Sequence, residues 1–143
     1  MRIVELLKVD AKGRITIPRT VREALNVEGG SFVVMIADLD KGEITILPSV
    51  SEGKVVMEVS ISFKDEKGKL AEIAEKLAEM GVNQLATSCK AVKRGEEAEC
   101  QIIAEVPENM KKEELEEEIS KIPGVLSVSA VKVPQPTVGG EKL

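Results

Sequence analysis

Five cationic side chains fall within one twenty-residue stretch, KVDAKGRITIPRTVREALNV: Lys8, Lys12, Arg14, Arg19 and Arg22. Such groups break no bonds by themselves. They bind anions, and an array of them suits an anionic polymer, nucleic acid above all. Arg offers a flat fork to a phosphate or a guanine edge, whereas Lys offers a point charge. The plainer alternative is that these charges only solubilise the surface. Two sulfurs, Cys89 and Cys100, are the other reactive groups. The chain has no His, which removes imidazole acid–base chemistry and most zinc, nickel and copper sites. It also lacks a G-x-x-x-x-G-K-[ST] phosphate loop, and its many carboxylates read as helix surface. The sequence therefore predicts no catalysis, no cofactor and no metal site.

The charge is segregated. The 143 residues sum to −5, yet residues 1–22 hold six basic side chains against two acidic ones, a local +4. Residues 23–50 hold one basic side chain against five acidic, a local −4. A basic face thus sits inside an acidic chain. Hydrophobic residues make up 43%, enough for a packed core. Aromatics are only 1%, Phe32 and Phe63, so the core is aliphatic and base stacking on aromatic rings is nearly excluded. Charged residues, rich in Glu and Lys, are 31%, a composition that fits a thermophile. No apolar run is long enough to span a bilayer and the N-terminus does not read as a signal peptide, so the expected location is the cytoplasm.

The elements that must position these groups fall into two sets. The segment 49–53, within SVSEGK, is small, polar and follows Pro48, and reads as a linker. Ahead of it, weak alternation over 3–9 and the β-branched RITI of 14–17 predict strands. Pro18 opens a helix over about 19–25, with Val21, Ala24 and Leu25 on one face. Strands at 31–37 and 43–47 form a hairpin around DLDKGE, with Gly42 free to take positive φ. Ile15, Ile17 and Leu25 are the expected core. A unit of under fifty residues buries little surface alone, so a second copy is expected to complete it.

Behind the linker, residues 55–63 alternate as a half-buried strand, and 69–80 carry a helical apolar stripe of Leu70, Ile73, Ala74, Leu77 and Met80. Strands follow at about 82–92 and 97–106, then a helix at 111–121 and a last strand from 125. The order β-α-β-β-α-β is the ferredoxin-like arrangement. The run KKEELEEE reads as a solvated helix face. Residues 134–143 read as a flexible tail.

The motif G-R-I-x-I-P, then x-x-V-R-x-x-L and a glycine turn before a hairpin, resembles the AbrB/MazE-type (SpoVT-AbrB) swapped-hairpin DNA-binding domain over about residues 4–48, within a front domain of 1–48. The resemblance implies a dimer in which two chains interlace hairpins into one small β-barrel and present a basic face to double-stranded DNA. It places the contacts on Lys8, Arg14 and Arg22, with Lys12 and Arg19 beside them. Leu7 and Glu23 stand where such domains often carry basic residues.

The rear half, 54–133, resembles an ACT domain through its element order, the DEKGKL segment before its first helix and GVNQL opening its second strand. That resemblance implies a regulatory module that pairs with a second copy and binds a small ligand such as an amino acid. The ligand set it implies is Asp65, Gly68, Lys69 and Leu70 around the loop, with Asn83 and Gln84 opposite. The alternative is a pairing module that senses nothing.

A hairpin turn centred between Arg94 and Gly95 places Cys89 opposite Cys100, both in the apolar phase of their strands. The first reading is two buried, reduced thiols; the alternative is a disulfide. The expected fold class is α+β, a dimeric swapped-hairpin barrel followed by a βαββαβ domain. The expected function is a homodimeric or larger transcription regulator controlled by a small ligand. The alternatives are an antitoxin of a toxin–antitoxin pair, or a regulatory subunit of an amino-acid biosynthetic enzyme.

Overall fold

A computed structural model describes residues 1–48 and 50–136; most of the expected tail, 137–143, lies outside the described residues, as does Ser49 of the linker. The chain is mixed α+β and divides into two compact units, Met1–Val50 and Ser51–Leu143.

In the first unit, Pro18 sits just ahead of helix α1 (Arg19–Ala24), and its carbonyl accepts from the N–H groups of Val21 and Arg22. Asn26 ends the helix at φ 56°, a left-handed conformation that Asn tolerates better than most side chains, and Val27 N–H closes back on Arg22 O at 2.9 Å. Strands β1 (Val34–Asp38) and β2 (Glu43–Leu47) pair antiparallel, from Val34 opposite Leu47 to Asp38 opposite Glu43. The turn is closed on Asp38: its carboxylate accepts from Lys41 N–H at 3.0 Å and its carbonyl from Gly42 N–H at 2.9 Å.

Two expectations are corrected here. Residues 3–9 and 14–17 are not strands in this chain: a strand exists only against a ladder partner, and a single chain supplies none to them. Nor are Ile15 and Leu25 core. They are 45% and 49% exposed, and Val34 is the one buried hydrophobic residue described in the unit.

The second unit is the ferredoxin-like βαββαβ arrangement. Strands β3 (Lys54–Lys64), β4 (Asn83–Lys93), β5 (Glu97–Pro107) and β6 (Val125–Lys132) make one antiparallel sheet in the order β4-β5-β3-β6. Helices α2 (Lys69–Glu79) and α3 (Lys112–Ser120) follow β3 and β5. The alternation in β3 buries Val55, Met57, Val59, Ile61 and Phe63, and that in β5 buries Ala98, Cys100, Ile102, Ala104 and Val106. Ile73 and Leu77 of α2 and Leu115 and Ile119 of α3 complete the aliphatic core, all at 1% exposure or less. The acidic run on α3 keeps Glu113, Glu114 and Glu117 in solvent. Glu116 and Glu118 are engaged: Glu116 accepts from the β6 N–H of Ala130 at 2.8 Å, and Glu118 pairs with Lys76 of α2 at 3.3 Å.

Lys69, at the first position of α2, turns inward and is 7% exposed. Its ammonium donates to the carbonyl of Pro123 and pairs with Glu72 at 3.2 Å, pinning the α3–β6 connection to the start of α2. Gly124 makes room for it. Its φ is +93°, and a Cβ there would meet Lys69 Cε at 3.0 Å and Glu66 Oε1 at 3.2 Å. Gly124→Ala is therefore expected to cost about 1–3 kcal/mol in urea unfolding. At Gly68, with φ +85° and nothing within 4 Å of an added Cβ, alanine carries only the backbone strain, roughly 1–2 kcal/mol. Equal losses at the two positions would show that the Lys69 contact does not matter.

Candidate functional site

The front cations sit on two short elements. Lys12 and Arg14 belong to a turn built around Asp10, whose carboxylate accepts from the N–H groups of both residues at 2.9 Å. Asp10 also takes the Nε of Arg14 at 2.7 Å, while the Arg14 side chain stays 72% exposed. The guanidinium is thus oriented by one nitrogen with its outer edge in solvent. The backbone and then the side chain of Arg14 hold the Asp10 carboxyl below the ordinary carboxylate value, so the pairing persists at neutral pH. Arg19 pairs with Glu23 at 2.8 Å and is 83% exposed. Lys8 and Arg22 are exposed, and neither forms an ion pair among the described residues.

These side chains do not line the groove beside them. That groove, about 260 Å³, is apolar and is walled by Ile3, Leu7, Ile15, Val21, Leu25 and Ile46. It gathers the apolar face of α1 with residues of the extended N-terminal segment. Such a surface is a contiguous apolar patch open to solvent.

In the second unit the expected ligand residues separate into two places. Asp65, Gly68 and Leu70 border a cavity of about 400 Å³ together with Phe63, Cys89 and Ala91. Asp65 shapes its rim: its N–H donates to Glu96 O at 3.0 Å and its carboxylate accepts from Gly95 N–H at 3.2 Å. Asn83 and Gln84 are not there. Asn83 pairs with Glu105, which pairs with Val56, eight residues back along β3 from Lys64. At strand rise that is roughly 27 Å from the loop. A crossover helix returns the chain to the foot of the sheet, so the start of β4 cannot meet the end of β3 in one protomer. Lys69 is committed to Pro123 and Glu72, as described, and turns away from the cavity.

Asn83 has a different partner. Its Nδ2 donates to Glu105 Oε1 at 3.0 Å, and Ser51 N–H donates to Glu105 Oε2 at 2.6 Å. Glu105 is only 4% exposed. Burial pushes its carboxyl up, but the hydrogen bonds from Asn83 and Ser51 and the charge of Lys54 outweigh that and hold it below the ordinary value. The carboxylate fixes Ser51, within the expected linker, to the sheet. A depressed folded-state value means stability that is present above the unfolded value, near pH 4.3, and lost as pH falls through the folded one. Glu105→Gln is expected to cost about 1–3 kcal/mol at pH 7, with the gap to wild type closing below about pH 4. Thermal unfolding across pH 3–7 reads both, and a pH-independent gap would assign the loss to shape alone. Glu105 was open to sequence reasoning as the lone charge in the strand segment QIIAEVP.

Cys89 and Cys100 face each other in the β4–β5 ladder, as the turn implied, and are joined by a disulfide. This corrects the reading of two buried, reduced thiols. Cys100 is 1% exposed within the core, but Cys89 is exposed, because β4 is the sheet's edge.

Residues 6–54 match the family model described as "Antidote-toxin recognition MazE, bacterial antitoxin", and residues 52–129 match the model for the ACT domain. Among solved structures, the chain is similar to the ACT domain from GTP pyrophosphokinase of Chlorobium tepidum, at 16% identity and TM-score 0.44, over 55% of this chain and 99% of that one. It is similar to the C-terminal domain of the MgtC protein from Mycobacterium tuberculosis, at 15% identity and TM-score 0.47, over 59% and 93%. An unknown protein from Galdieria sulphuraria aligns at 15% identity and TM-score 0.48 over 59% of this chain, which spans 48% of that protein. No curated protein matches the chain. No helix among the described residues is long and apolar enough to cross a membrane.

Proposed function

The chain belongs to the ACT-domain family, with a MazE-type segment ahead of the ACT domain, and from that premise we propose that it is a homodimeric DNA-binding transcription regulator tuned by a small ligand. The observation that carries this reading is in the front unit. All five cations stay at the surface while, among the described residues of that unit, a single hydrophobic side chain, Val34, is buried. A second copy that fills the apolar groove completes the core, supplies ladder partners to residues 3–9 and 14–17, and doubles the cations available to the polyanion.

The rear unit offers a matching geometry. Of the two sheet edges, β6 gives a backbone N–H to Glu116, whereas β4 stands open. Antiparallel pairing of β4 with its counterpart in a second copy carries Asn83 and Gln84 of one protomer to the 65–70 loop of the other. The ligand residues that one chain separates are then reunited at the interface. A free amino acid suits such a site: the loop and the start of α2 offer N–H groups to its carboxylate.

Anisotropy titrations of labelled duplex DNA over a salt series, with and without an amino-acid mixture, test both halves. Binding that weakens steeply with salt and shifts with amino acids is the expected result. Salt-independent or absent binding would sink the DNA reading, and an unmoved curve would sink the sensing.

The family description matched at residues 6–54 favours a second reading, an antitoxin. A small toxic protein that co-purifies with the chain and neutralises on binding would establish it.

A further inference from the structure

The Cys89–Cys100 disulfide reinforces the edge of the sheet. It joins an edge strand to its neighbour, which the ladder already holds. Its two sulfurs have unlike surroundings. Cys100 packs in the core with Ile61 and Ile102, while Cys89 is exposed and forms part of the cavity wall beside Asp65, Gly68 and Leu70. Exposed disulfides are the exchangeable ones, and attack goes to the sulfur that can be reached. Side chains stand off the plane of a sheet, so edge pairing of β4 leaves Cys89 on that wall.

We propose that Cys89 is a thiol-exchange site, opened by a dithiol reductant, that sets the rigidity of the cavity wall. A thiolate of the dithiol attacks Cys89 Sγ. The bond to Cys100 breaks, and Cys100 leaves as a thiolate and takes up a proton. The second thiol of the reductant then displaces Cys89 from the mixed disulfide. Two electrons enter the protein, two cysteine thiols result, and the reductant leaves as its own disulfide. With the cross-link gone, β4 is held at the cavity by ladder hydrogen bonds alone. Its regulatory meaning rests on the ligand reading above; the exchange and the loosening do not.

The test uses the full chain and no ligand. The native protein is titrated with dithiothreitol, quenched in acid, alkylated and mapped by mass spectrometry. A parallel sample with reduced glutathione traps the mixed disulfide. Reduction without denaturant, a glutathione adduct on Cys89, and at least tenfold faster amide exchange over 86–93 in the reduced protein are the expected results. Cys89→Ser/Cys100→Ser is expected to reproduce the faster exchange, and reduced wild type supplies the same readout where that variant folds poorly. Reduction only after unfolding, an adduct on Cys100, or unchanged exchange in the reduced protein would each overturn the proposal. Absence of any amino-acid effect on DNA binding would count against the ligand reading and leave these readouts untouched.

Discussion

Arg14→Ala/Arg22→Ala is expected to weaken duplex DNA binding by on the order of 10²–10³-fold near physiological salt and to flatten its salt dependence. The proposed dimer loses four guanidinium groups through the two substitutions. Each phosphate contact contributes about 0.9 to the slope of log affinity against log salt, so the slope should shrink by roughly 3–4. Fold stability should barely change. Arg14 is 72% exposed and its pair with Asp10 is a surface one, and Arg22 is exposed without an ion pair among the described residues. Lys111→Ala, an exposed charge of the second unit, is the control and should leave the slope intact. Asp10→Ala separates orientation from charge. It removes a negative group from a basic turn, which favours DNA, but it frees the Nε that holds Arg14 in place. A loss of affinity in that variant despite the gain in net positive charge would show that orientation dominates. An unchanged slope in the double arginine variant would move the polyanion contact off this face altogether.

What the sequence made legible follows a physical line. The second unit was readable nearly to the residue, because every element there finds its partner within the chain. Strict alternation over 55–63 specified β3, the stripe Ile73–Leu77 specified the buried side of α2, and Gly81 ended it. The turn at Arg94–Gly95 even placed Cys89 against Cys100. What the pattern could not say is how much cover an edge strand receives, and so Cys89 emerged exposed. The first unit was read less well for the opposite reason. RITI has the composition of a strand and Ile15 and Leu25 that of a core, but the single chain offers them neither a ladder partner nor cover. Lys69 and Asn83 show a third limit. Their types gave no sign that the ammonium of Lys69 meets the carbonyl of Pro123 and the amide of Asn83 the carboxylate of Glu105, both far away in sequence. Periodicity reports which face is buried. It does not report which distant polar group a side chain will meet.

Leu25→Glu discriminates most sharply between a lone front unit and an interlocked pair. In the single protomer Leu25 is 49% exposed at the edge of the apolar groove, so a carboxylate there would reach water and cost within about 0.5 kcal/mol. In a dimer that fills the groove, the same carboxylate is buried among Ile15, Val21 and Ile46 with no cation at hand, at a cost of about 3 kcal/mol or more per protomer. Two copies share the interface, so the penalty is counted twice in the association. At micromolar protein the front unit of the variant is then expected to stay open: loss of DNA binding, amide exchange at the intrinsic rate over residues 3–27, and an unperturbed second unit. Wild type should show protection over the same residues that rises with protein concentration, because in the proposed dimer assembly and folding of this unit are one event. Protection that does not depend on concentration, with Leu25→Glu tolerated, would mean that the front unit stands alone. The arginines would then face DNA one set at a time, and the steep salt dependence expected of a doubled array would have no structural source.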